Sequence, residues 1–264
     1  EEELAQLGDR QADIAKRLAK AKEKRSALDS RRNLLQEMEQ RQEGINEAVK
    51  VVLARKASDN GGSNSFAFVR GLLAEMLETD LEHAPLVEAA LADYEQALVI
   101  DRLLDLTEKA DAIDSLSGRV MFLPLDQFSG DADLRSRELI LAAKTTLPPN
   151  IRRVSELVRC DDWLRPIVDD LLGRTLVVPH LDSAVMLRAV MPQGVRFITE
   201  DGRLLESDGR ITAGPPSDVS RGGMISRRSE LHDLDEQVAA LDLTIAEEEQ
   251  TVAQLGDRTG HLTT

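Results

Sequence analysis

Apolar or small side chains recur every seven residues at the start of this chain, at Leu7, Ile14, Ala21, Leu28 and Leu35. Leu4 and Leu18 fall three positions before two of them, and Met38 and Ile45 continue the stripe after a shift. A step of seven held over about four heptads predicts a coiled-coil helix. The other end has the same character: Leu231, Leu234, Val238, Leu241, Ile245, Val252 and Leu255 follow steps of three and four, interrupted by Glu248. Ser229, Glu230 and Asp233 place acidic and capping groups at the expected helix start, where the helix dipole favours them.

Between these ends the period changes. Residues 57–228 hold all nine prolines and every aromatic residue. Short apolar runs at 97–100, 120–123, 176–178 and 195–199 predict strands, and helical spacing predicts helices near 69–78, 84–92, 103–115, 131–143, 163–172 and 182–190. Arg203-Leu204-Leu205 and Arg210-Ile211-Thr212 read as shorter strand-like pieces, and Ser58 to Asn64 as a flexible entry loop. An offset of 81 lays Ala74-Glu75-Met76-Leu77 and Asp80 on Ser155-Glu156-Leu157-Val158 and Asp161, and Pro85-Leu86-Val87-Glu88 on Pro166-Ile167-Val168-Asp169. After a three-residue gap, Leu98-Val99-Ile100 meets Leu176-Val177-Val178. The middle therefore reads as two related halves, parted by loops near Ser129-Gly130 and Leu147-Pro148-Pro149-Asn150.

Charge decides how the ends pair. Residues 10–32 carry nine basic side chains against Asp13, Glu23 and Asp29, whereas residues 229–264 carry nine acids against Arg258. Apolar seams of opposite charge attract each other and repel copies of themselves. The expected fold class is mixed α+β: two pseudo-repeated α/β subdomains between the arms of an intrachain antiparallel coiled coil. The expected divisions are an arm over 1–56, subdomains over 57–144 and 145–228, and an arm over 229–264.

The 264 residues are 42% apolar but only 3% aromatic, with a net charge of -15, which argues against wholesale nucleic-acid coating. No run of about 18 apolar residues could span a membrane, and no signal peptide opens the chain, so a cytoplasmic setting is expected. The chain opens Glu1-Glu2-Glu3 without Met and reads as a piece of something longer. Cys160, the one cysteine, forms no intrachain disulfide and no four-cysteine zinc site. No Walker A loop occurs, the four histidines are scattered, and no residue spacing points to a metal. No catalytic residue, metal or resident cofactor is therefore expected.

Glycine is the informative cluster. Gly202, Gly209, Gly214, Gly222 and Gly223 all lie shortly before the second arm. Each could close a hairpin turn, and together beside strand edges they suit a sheet edge shared with a second chain. Arg55, Lys56, Arg221, Arg227 and Arg228 could gather where the arms begin. They read either as weak, salt-dependent contacts to DNA phosphates or as solvated helix-end charges.

Several ordered segments resemble the hinge domain of structural maintenance of chromosomes (SMC) proteins, with bacterial members the nearest in kind. Gly118-Arg119-Val120-Met121-Phe122-Leu123-Pro124-Leu125-Asp126 is similar to the family's GRxTFLPLD segment, with Met121 where Thr is common. Leu172-Gly173-Arg174-Thr175-Leu176-Val177-Val178 resembles LLGxTLVV, and Gly222-Gly223-Met224-Ile225-Ser226-Arg227 resembles GGLLSR. Thr199 to Gly214 is similar to the intervening glycine-rich stretch, with Ala213 where glycine is frequent, and Val69-Arg70-Gly71 to the opening segment. The likeness covers about 66–228. It implies a homodimer in which the first half of one copy meets the second half of the other, with the five glycines at or near the interface. It implies arms that lead to ATPase heads holding ATP and Mg outside this segment, non-SMC subunits bound only through those heads, and a nucleoid-associated role in chromosome condensation and segregation. A ligand-binding α/β regulatory domain inserted in a coiled coil is the alternative. The zinc-hooked apex of a double-strand-break repair ATPase needs paired cysteines, which this chain lacks.

Overall fold

The computed structural model describes residues 2–58, 66–142, 151–214 and 223–263. In chain order the helices are α1 (Glu2–Gln40), α2 (Glu47–Ala57), α3 (Ala84–Leu91), α4 (Leu103–Glu108), α5 (Ala110–Asp114), α6 (Ala132–Leu141), α7 (Arg165–Leu172), α8 (Leu181–Arg188) and α9 (Met224–Thr263). The strands are β1 (Val69–Leu72), β2 (Leu98–Ile100), β3 (Phe122–Pro124), β4 (Thr175–Val178), β5 (Arg196–Thr199), β6 (Leu204–Leu205) and β7 (Ile211–Thr212). The chain divides into two compact units, residues 1–43 with 230–264, and residues 44–229.

The first unit pairs α1 with the arm part of α9. Leu7, Ile14 and Leu35 are buried, and Leu35 packs with Leu231, Leu234, Leu28 and Met38. Ion pairs cross between the helices at Arg31–Glu230 (2.7 Å), Arg25–Asp242 (2.9 Å), Lys22–Glu249 (2.6 Å), Arg32–Asp235 (3.4 Å) and Arg17–Glu248 (3.4 Å). From Arg17–Glu248 to Arg31–Glu230, and from Lys22–Glu249 through Arg25–Asp242 to Arg32–Asp235, the α1 number rises as the α9 number falls, so the helices run antiparallel within one chain. Glu248, the break in the apolar pattern, stays in the seam and takes its charge partner from Arg17. Exchanging charges between Arg31 and Glu230 tests the register. Arg31→Glu alone should lower the arm's melting temperature, and adding Glu230→Arg should recover most of the loss, which is about 0.5 kcal/mol for an exposed pair.

The first arm stops earlier than its heptads suggest. After Gln40 the backbone turns through Gln42 and Gly44, both at positive φ (51° and 89°), and Asn46 then starts α2 by accepting a hydrogen bond from the Ala48 N–H. Residues 44–56, which the stripe had joined to the arm, lie in the second unit. There Ile45, Val49 and Val52 are buried against Phe66, Leu72, Leu98 and Ile100.

The second unit is built twice. A three-stranded sheet has the order β1-β2-β3, antiparallel then parallel, and a four-stranded sheet has the order β4-β5-β6-β7, parallel then antiparallel twice. Each sheet turns one face to its own helices. Leu98 and Ile100 face α2, while Leu176, Val178 and Phe197 pack with Ile140 and Ala184. The other faces share one core, in which Val99 and Leu123 join Val87, Leu164, Ile167, Val168, Ile198 and Leu204. The 81-residue offset is structural. A 3-10 turn at Leu73–Met76 corresponds to one at Val154–Leu157, and α3 to α7, each helix with proline in its first turn. Where the halves meet, Glu78 and Arg159, themselves 81 apart, exchange both backbone hydrogen bonds (2.9 and 2.7 Å). The two halves are therefore related by a pseudo-twofold through that bridge.

Three sequence expectations differ from the structure. The helix expected at 69–78 is β1 followed by a 3-10 turn, because pairing with β2 recruits Val69–Leu72. The helix expected over 103–115 breaks at Lys109 into α4 and α5. The strand expected at 120–123 runs from Phe122 to Pro124. Most of the entry loop at 58–64 and the Leu147–Asn150 loop lie outside the described residues. No described helix is long and apolar enough to cross a membrane.

Candidate interaction site

Two of the five glycines close tight turns in the second sheet. Between β5 and β6, Gly202 (φ 83°) donates its N–H to Thr199 O (2.8 Å), and the Thr199 hydroxyl lies against the Arg203 backbone. Between β6 and β7, Gly209 (φ 95°) donates to Glu206 O (3.0 Å), and Asp208 accepts from the Arg210 N–H. A Cβ on Gly209 would meet the Arg188 guanidinium at 3.0 Å. Gly214 is different. It follows the end strand β7 at φ 121°, with nothing within 4 Å of a built Cβ. Ile211 and Thr212 are exposed, and β7 is the end strand of the four-stranded sheet among the described residues. Gly222 and the Pro215-Pro216 pair lie outside the described residues.

Gly223 faces its own chain. A Cβ there would sit 2.4 Å from the Glu88 carboxyl carbon. Glu88 accepts from the Ser226 N–H (2.6 Å) and hydroxyl (2.8 Å), and Glu95 accepts from the Met224 N–H (2.8 Å). Two carboxylates thus hold the first turn of α9, where the otherwise unsatisfied N–H groups and the helix dipole favour negative charge. Burial holds both carboxyls above the ordinary carboxylate range. The hydrogen bonds pull the other way, and Glu95 is raised further by Glu88. The neighbouring Gln96 accepts from the Asn46 N–H (2.8 Å) and donates to Gly44 O (3.0 Å). One short turn, Ala92–Gln96, therefore bonds both the start of α9 and the residues leading into α2. Sequence reasoning passed over Glu88, Glu95 and Gln96. The available signal was Glu88, the lone charge in the apolar α3, matched in the repeat by the buried Asp169.

The candidate cations are dispersed. Arg55 donates to the Ser115 hydroxyl (2.8 Å) and lies over the Phe66 ring, and the Lys56 ammonium donates to Arg70 O. Arg227 is buried, with its guanidinium against Gly44 and its charge acting on Glu95. Arg228 is half-buried on α9, and Arg221 lies outside the described residues.

Residues 66–188 match the family model described as the SMC proteins flexible hinge domain. The chromosome partition protein Smc of Rhodopirellula baltica is 30% identical over 230 residues, 86% of this chain and 18% of that protein. Its Bacillus subtilis counterpart is 28% identical over 230 residues, again 86% of this chain and 18% of the other. The chain thus spans about a fifth of the length of these curated relatives. Among solved structures, an asymmetric dimer of the Geobacillus stearothermophilus SMC hinge domain is similar with a TM-score of 0.74 and 25% identity, over 97% of this chain and 99% of that one. The repeated halves, the shared core and the helical ends follow that architecture, and the chain belongs to the SMC family, as its hinge domain with flanking coiled-coil arms.

Proposed function

We propose that this hinge joins two copies of the chain and so links the coiled-coil arms of a chromosome-organising ATPase. The observation that carries the reading is the end strand β7, with Ile211 47% exposed and followed by the open Gly214. An end strand offers backbone donors and acceptors to a second chain. The first half has a counterpart in β3, the end strand of its sheet, next to Met121 at 38% exposure. Pairing β7 of one copy with β3 of the other satisfies both edges twice, giving a closed pair with two equivalent contacts. The Geobacillus stearothermophilus hinge, similar with a TM-score of 0.74, is itself described as a dimer. Gly214 stays in the proposed interface and Gly222 with it, whereas Gly202 and Gly209 support it as turns, and Gly223 serves the fold.

Light scattering across protein concentration tests this. Ile211→Glu and Met121→Glu should each weaken the dimer at least about tenfold, since one change strikes both contacts of a closed pair. A double variant that stays dimeric at the dilution where the parent dissociates would refute the edge assignment.

In the whole protein, the arms would lead to heads that bind ATP and Mg, outside this chain, and non-SMC subunits would join there. The assembly would act in chromosome condensation and segregation at the nucleoid. DNA contact at the arm roots would rest on Arg55, Lys56, Arg221 and Arg228, with strong salt dependence. Arg227 is spent inside the fold and is not included.

A further inference from the structure

Helix α8 ends where its chain must return to the second sheet. The Met191 N–H still reaches Leu187 O (2.9 Å), Pro192 cannot extend the helix, and Gly194 at φ 96° turns the chain toward β5. Between this turn and the β6–β7 hairpin lies a cavity of about 210 Å³. Its deep wall is apolar, from buried Met191, Val195 and Phe197, and its solvent side is polar, from exposed Arg188 and Gln193 and half-buried Ser207. The hairpin seats Arg188. Its guanidinium donates to Ser207 O at 3.3 Å, and Gly209 leaves it room, since a Cβ there would come within 3.0 Å. The hairpin's own acids are engaged elsewhere, Glu206 with Arg196 (3.8 Å) and Asp208 with Arg210 (2.7 Å), and Arg188 has no ion pair among the described residues. One long bond to a carbonyl leaves most of the guanidinium donors for another acceptor.

We infer that this cavity is a binding site for a small carboxylate with a short branched apolar tail, the carboxylate on Arg188 and the tail against Met191, Val195 and Phe197. A planar guanidinium takes a carboxylate through two parallel hydrogen bonds. One positive charge suits a monoanion, whereas a phosphate would need further cations. The apolar wall rewards a tail that leaves water, which a bare anion lacks. Size sets the limit: a cavity of about 150 Å³ holds benzene, so this one suits a molecule of about eight non-hydrogen atoms. Gln193 and the Ser207 hydroxyl, at the polar side, can supply neutral donors to the second carboxylate oxygen. All of these residues belong to the second half of one copy, so the site stands whether or not β7 pairs with β3 of another.

The test uses the full chain with isotope-labelled methionine methyl groups, followed by NMR, and 4-methylpentanoate as the probe. Met191 lines the cavity, and the exposed Met186 of α8 is the internal reference. The Met191 methyl signal should shift saturably with a Kd of about 1 mM, a strength within reach of one bidentate contact and a small tail. The Met186 signal should not follow it. The neutral 4-methylpentanamide and the tail-less acetate each lack one half of the match, and each should bind at least about tenfold more weakly. Arg188→Gln should weaken the acid by the same factor with the melting temperature held, because the side chain is exposed. Gln193→Trp, which narrows the mouth, should weaken it as well. An unmoved Met191 signal, equal binding of acid and amide, or undiminished binding in Arg188→Gln would overturn the site. The peptide acetyl-Gly-Gly-Leu, with a free C-terminus, separates two sources of the same chemistry. Tighter binding than the acid assigns the site to a peptide end, and weaker binding assigns it to a free small acid.

Discussion

Gly223→Ala should destabilise the globular unit by about 2–4 kcal/mol, although it adds a single methyl group. The methyl carbon would lie 2.4 Å from the Glu88 carboxyl, far inside van der Waals contact. Glu88 has little room to give way. Its oxygens hold the Ser226 N–H and hydroxyl, and moving it leaves those donors and a buried carboxylate without partners. In a unit of this size the loss lowers the melting temperature by about 2–4 °C per kcal/mol. Glu88→Ala should also be costly, because it uncaps α9. The double variant should cost clearly less than the sum of the two, since the methyl then has space and the cap is already gone. Melting of Gly223→Ala within a degree of the parent would show that the carboxylate is not held as described, and strictly additive losses would show that the two positions do not meet.

The coil was legible because its signals are local and periodic. Steps of seven and of three and four name the buried faces, and segregated charge names the partner and the direction. The end of the first arm was less so, since Met38 and Ile45 carry the apolar stripe past Gln40. What ends the helix is the positive φ at Gln42 and Gly44, followed by Asn46 as a new N-cap. Gly44 was the visible warning. In the globule, α3, α6, α7 and α8 and six of the seven strands lie where the patterns place them, within about two residues. The exception is β1. Val69-Arg70-Gly71-Leu72-Leu73 is an apolar run that suits either period, and only the distant pairing to β2 decides it.

The interaction site was half legible for a related reason. Glycines announce that a backbone needs freedom or closeness, but not what approaches. Gly202 and Gly209 answer to their own hairpins, Gly223 to a carboxylate 135 positions away in the chain, and Gly214 to open space. The cations divide similarly. Arg227 looks in sequence like its neighbour Arg228, yet the helical step of 100° turns one into the fold and leaves the other half-exposed. The repeat, by contrast, was readable at the level of single residues, because both copies must fill one core.

That shared core sets the second large effect. Ile167→Ala should cost about 3 kcal/mol and should loosen both halves together. Ile167 is fully buried, and its cluster draws Val87, Ala90 and Val99 from the first half and Leu164, Leu172 and Ile198 from the second. Removing three carbons opens a cavity that neither half can close alone, because the Glu78–Arg159 bridge and the paired helices hold the halves at fixed spacing. The exposed α8 residue Met186 is the control, and Met186→Ala should change stability by no more than about 0.5 kcal/mol. Hydrogen exchange distinguishes a common core from two adjoining ones. In Ile167→Ala the amides of β2 and of β4 should lose protection by the same factor, since both open only when the common core opens. Loss confined to β4 would mean that each half keeps a core of its own, and the internal duplication would then be two domains in contact rather than one domain made twice.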